Sequence, residues 1–104
     1  MKALQVAMMV FVASVVPIYP GAKQTDTTSY GTPPPGATAY VTSDDPVTIG
    51  KWYQANVGNV QVAAAVTAKG GLLLVGDQNT GTYVTLIGEA GKTYIVLTPA
   101  ASMK

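Results

Sequence analysis

The sequence contains no cysteine, no histidine and no arginine. Without cysteine there are no disulfides, no thiol nucleophile, no iron–sulfur ligation and no lipoprotein-type acylation. Without histidine, the usual general base near neutral pH and the commonest transition-metal ligand are missing. Without the guanidinium fork, specific readout of bases and phosphates is poorly served. Charge is scarce as well: six lysines face five acids, and no basic block of the kind nucleic acid requires is present. The composition therefore argues against an enzyme, a cofactor and a nucleic-acid partner. Abundant Thr, Ala, Val and Gly favour a β-rich exported chain.

The 104 residues point to one domain. Lys2 precedes the apolar run Ala3 to Val16, which has the length of a signal-peptide core and falls short of a bilayer span. Val12-Ala13-Ser14 places small residues where a signal peptidase needs them, giving cleavage after Ser14. Residues 1–14 are accordingly expected to be a signal peptide or apolar anchor, and 15–104 a small α+β domain. Two other readings of the run stand beside this one. It serves as a retained assembly helix, as in pilins and phage coats, or as a core element. The single glutamate, Glu89, argues against a type IV pilin, which carries an early one.

Pro17 to Lys23 is too rich in proline for a central strand and reads as an edge strand or extended entry. Gln24 to Gly36, with Pro33-Pro34-Pro35, reads as an exposed polar loop. Ala37 to Thr42 reads as a strand. One helix follows: Ser43, Asp44 or Asp45 caps it, Pro46 fits its first turn, and Ile49, Trp52, Tyr53 and Val57 form an apolar face expected to pack on a sheet. Gly58 and Asn59 end it, with glycine the expected left-handed residue. Gly50 inside it costs about 1 kcal/mol relative to alanine, with no reason visible in the sequence.

Beyond the helix, Val60 to Ala68, Leu72 to Val75, Thr82 to Ile87 and Lys92 to Thr98 read as strands. Lys69-Gly70-Gly71, Asp77 to Gly81 and Glu89-Ala90-Gly91 supply the turns. Successive hairpins make the sheet antiparallel. The predicted fold is α+β, one helix on an antiparallel sheet of about five strands.

Four motifs invite chemistry and resist it. Gly91-Lys92-Thr93 resembles the end of a phosphate loop, but Leu86 stands where the first glycine belongs and a strand follows instead of a helix. Asp77-Gln78-Asn79-Thr80-Gly81 has calcium-loop chemistry without the remaining acidic ligands, so it reads as a turn. Asp44-Asp45 are adjacent, whereas glycosidase carboxylates face each other roughly 5–9 Å apart; they serve the helix start. Ser29, Ser43 and Ser102 have no base, and none begins a Ser-x-x-Lys motif. No catalytic, cofactor-binding or metal site is predicted. Among the aromatics, Tyr30 in the loop has no packing role in view and is the predicted surface contact.

Pro17-Ile18-Tyr19-Pro20-Gly21-Ala22, Thr42-Ser43-Asp44 before Trp52-Tyr53, and Gly91-Lys92-Thr93-Tyr94-Ile95 occur in one order between Pro17 and Thr98. This arrangement resembles a group of small bacterial exported domains. They open with Pro-x-Tyr-Pro-Gly-Ala, carry Thr-x-Asp before a helix with an aromatic–Tyr pair, and close with a Gly-Lys-Thr-x-Ile hairpin. The resemblance implies periplasmic or secreted placement and an α+β fold, and it brings no catalytic residues. The chain departs from the group in joining leader to entry with almost no spacer. Two roles follow as expectations. One is a non-enzymatic binding or accessory domain with a protein or cell-envelope partner. The other is a structural subunit of a filament or coat that retains the apolar segment. Membrane contact is expected only through residues 1–16 if uncleaved, and self-association is left open.

Overall fold

The computed structural model describes residues 16–103. Six strands form one antiparallel sheet: β1 (Lys23–Thr25), β2 (Thr38–Thr42), β3 (Val60–Thr67), β4 (Gly70–Val75), β5 (Thr82–Glu89) and β6 (Lys92–Pro99). Their spatial order is β1-β2-β6-β5-β4-β3. Among the described residues there is one α-helix, α1 (Pro46–Asn56), which links β2 to the far edge strand β3 and lies across one sheet face. A single 3-10 turn, Ala100–Met103, follows β6. The fold is α+β, one helix packed on an antiparallel sheet.

Alternation decides which side chains meet the helix, because successive residues of a strand point to opposite faces. Leu73 is paired with Val84, Val84 with Leu97, and Leu86 with Ile95. All five are buried in one cluster with Ile49 and Tyr53 from α1. Ile49 and Tyr53 are wholly buried, and each such side chain contributes roughly 1.5–3 kcal/mol by leaving water. Val16 and Tyr19 complete the cluster, so the last residue of the apolar run belongs to the folded body. The leader itself, residues 1–14, and the cleavage point after Ser14 lie outside the described residues.

Several local expectations need correction. Of the Pro17–Lys23 segment, only Lys23 enters a strand; Pro20-Gly21 turns the chain, closed by Ala22 N–H donating to the Tyr19 carbonyl at 3.1 Å. The strand runs on through Gln24 and Thr25, which the sequence assigns to the loop. It exists because β2 supplies its partner, Lys23 to Val41 and Thr25 to Ala39. The left-handed residue after α1 is Asn59 at φ 59°, not Gly58; Val57 caps the helix in an extended conformation. Gly70 and Gly71 lie in β4 rather than in a turn. Gly70, at φ 128°, admits the Leu86 carbonyl into the space that a Cβ would fill.

Gly50 has a packing reason that only the structure reveals. A Cβ there would lie 3.3 Å from a Val66 methyl, so its absence lets β3 sit close against α1. Trp52 is half-buried and meets the edges of Tyr19 and Tyr53, with ring centroids 5.5 and 5.0 Å away. It packs against the core cluster, as the apolar face predicts, and also clamps the N-terminal entry through Tyr19.

Candidate functional site

The face of the sheet away from α1 is where the loop places Tyr30. On this face Thr85 of β5 stands opposite Val96 of β6, with Ile87 and Thr98 beside them. Val96 and Thr98 are buried although the helix is on the other side. Their cover is the loop of residues 26–37 that joins β1 to β2 and folds back over β5 and β6.

A tight turn shapes the loop. Thr28 N–H donates to the Gly31 carbonyl at 2.8 Å and Gly31 N–H returns to the Thr28 carbonyl at 3.0 Å. The Thr28 hydroxyl accepts from Tyr30 N–H at 3.1 Å. Gly31, at φ 106°, adopts backbone that glycine alone takes readily. Tyr30 therefore projects from a fixed turn, 84% exposed. Pro33 and Pro34, stiff in φ, extend the wall.

Between loop and sheet lies an open groove of about 450 Å³, within the usual size range for small-ligand sites. Tyr30, Pro33, Pro34, Ile87 and Val96 give it apolar surface; Thr28, Thr32, Thr85 and Thr98 give it hydroxyls. None of these side chains carries a formal charge at neutral pH. The groove suits an uncharged, largely apolar group held by ring and proline contacts and oriented by threonine hydroxyls.

The other sequence candidates fall into structural roles. Asp45 caps α1, its Oδ1 accepting from Thr48 N–H at 2.9 Å, and the hydrogen bonds from Thr48 hold its carboxyl below the ordinary value. Asp44 takes no part in the cap. Its carboxylate accepts from the Tyr19 hydroxyl, and its carbonyl from the Thr93 hydroxyl. The Asp77 carboxylate accepts from the N–H groups of Asn79 and Thr80, both at 2.7 Å, and from the Thr80 hydroxyl, closing the turn. Ala90-Gly91 forms a two-residue hairpin loop between paired Glu89 and Lys92; Lys92 sits over the Tyr94 ring, 5.1 Å from its centroid. Among the described residues, no group of three or more acidic side chains is arranged to hold a metal ion.

Sequence reasoning singled out Tyr30 but missed the sheet residues beneath the loop. Their signal was the alternation of β5 and β6, which puts Thr85, Ile87, Val96 and Thr98 on one face; nothing local states that a loop from β1 crosses it. No family model, curated protein or solved structure matches this chain.

Proposed function

We propose that this chain is a non-enzymatic, exported binding or accessory domain that takes an uncharged, largely apolar segment of a cell-envelope protein into the groove beside Tyr30. The observation that carries the reading is an exposed aromatic on a braced turn, facing a groove without charged side chains on a sheet that is otherwise well packed. A concave, largely apolar groove with a few convergent hydroxyls is the usual form of a binding site. Placement outside the cytoplasm rests on the apolar leader and on the resemblance to exported bacterial domains. The absence of enzymatic activity rests on the missing cysteine and histidine and on the structural duties of Asp44, Asp45 and Asp77.

The test is site-specific photo-crosslinking in the native host, with the photoreactive residue at position 30 and, as control, at Ala55, exposed on α1. A defined adduct from position 30 alone supports the reading. No adduct, or equal adducts from both positions, overturns it. The N-terminus of the exported fraction is expected at Val15; protein found only in the cytosol with Met1 intact removes the export claim. Filaments in micrographs of protein retaining Ala3 to Val16 select the structural-subunit role instead.

A further inference from the structure

The two edges of the sheet are treated unequally. Strand β1 is three residues long, begins with Lys23 and follows the Pro20-Gly21 turn; short length, charge and proline are the usual means of blunting an edge. Strand β3 is eight residues long, Val-Gln-Val-Ala-Ala-Ala-Val-Thr, with no charge, proline or glycine. Among the described residues it has a strand neighbour on one side only, β4. Its side chains are mostly exposed, Val62 to 49%.

We propose that β3 pairs with β3 of a second copy of this chain, antiparallel about a twofold axis at Ala64, joining two sheets into one. A twofold at Ala64 sets Val62 against the partner's Val66 and Gln61 against the partner's Thr67. Apolar side chains then meet apolar ones, and the Gln61 amide faces a hydroxyl it can hydrogen-bond. The strand itself carries no charge, so no like charges oppose across the axis, an arrangement that would otherwise destabilise a cross-strand pair. The run Ala63 to Ala65 keeps both backbones free of bulky side chains. Register shifts toward β4 between Val62 and Ala64 and between Ala64 and Thr67 increase the strand's twist, itself a device that limits edge pairing, so the contact is confined to the short stretch around Ala64. Eight residues of edge make a small interface, which sets the dimer in the weak, concentration-dependent class.

The experiment is sedimentation velocity over a range of concentrations on protein purified from its host, in whatever processed form it occurs there. It is run with Ala64→Lys, Ala64→Glu and their equimolar mixture, with circular dichroism to verify folding. Position 64 is exposed, so both variants keep the fold. Each alone brings like charges together at the axis and weakens the dimer at least tenfold; the mixture restores it as a heterodimer. Hydrogen exchange of the β3 amides slows as wild-type concentration rises. A monomer at all concentrations, a dimer indifferent to both substitutions, or β3 protection that is independent of concentration, meaning cover from within the chain, overturns the proposal. Crosslinking from position 30 is unaffected by either variant, so this inference and the groove reading fail separately.

Discussion

The Tyr19 hydroxyl donates to the Asp44 carboxylate at 2.5 Å, across 25 residues of sequence. It ties the N-terminal entry to the residue before the helix cap. Beside it, the Tyr53 hydroxyl donates to the Pro17 carbonyl at 2.9 Å, and Trp52 contacts both rings. A chain stretch without secondary structure of its own is thereby made part of the core.

Replacing Tyr19 by phenylalanine removes this bond while keeping the ring. Hydrogen bonds to charged groups contribute about 1.5–3 kcal/mol, so Tyr19→Phe lowers stability by about that amount. Urea unfolding followed by tryptophan fluorescence reads it directly, because Trp52 adjoins the site.

Alkaline pH tests the same contact. The bond to Asp44, with burial, pushes the Tyr19 phenol from its ordinary 10.0 up to about 12, and burial does the same for Tyr53. A raised folded-state pKa means the fold holds the proton that the unfolded chain releases. The stability this provides is complete below pH 10 and is lost as pH rises from 10 to 12. Unfolding midpoints against pH show a decline in that window, and Tyr19→Phe has the shallower one.

Thr93 is wholly buried, and its hydroxyl donates to the Asp44 carbonyl at 2.7 Å. Thr93→Val keeps the shape and leaves that carbonyl without this donor, at a cost of about 1–3 kcal/mol. A shift of the denaturant midpoint with unchanged slope is the expected record.

Gly50→Ala sets packing against propensity. Alanine gains about 1 kcal/mol in an ordinary helix interior, but here its methyl presses on Val66 and the gain is cancelled. In a Val66→Ala background the pressure is gone, and Gly50→Ala then stabilises by the full amount. A double-mutant cycle measured in urea distinguishes the two.

Acid weakens the helix start. The Asp45 carboxyl is held below its ordinary 3.8 by Thr48, so its contribution is present above that pH and fades as pH falls through the lowered value. Asp45→Asn retains a capping oxygen and flattens the acid dependence seen by circular dichroism.

Much of this was legible residue by residue. Asp45 and Pro46 announce a helix start because capping is a bond between near neighbours. Asp77 announces a turn for the same reason, and the alternation of Thr82 to Ile87 and Lys92 to Thr98 fixes two faces at once. Strand β1 was not legible: Lys23-Gln24-Thr25 has no apolar pattern, and its extended form rests on β2. Nor was the role of Trp52, whose ring partners include a residue 33 positions away.

What the sequence alone determined is therefore the local part: the helix, the turns, the antiparallel hairpins and the lack of cysteine and histidine for chemistry. These follow from backbone preferences and from hydrogen bonds that close within a few residues. Tertiary structure alone decided which face the loop covers, why Gly50 has no side chain, and which edge of the sheet stays open. Each of these depends on atoms far apart in the chain coming within a few ångströms, and no spacing along the chain encodes that distance.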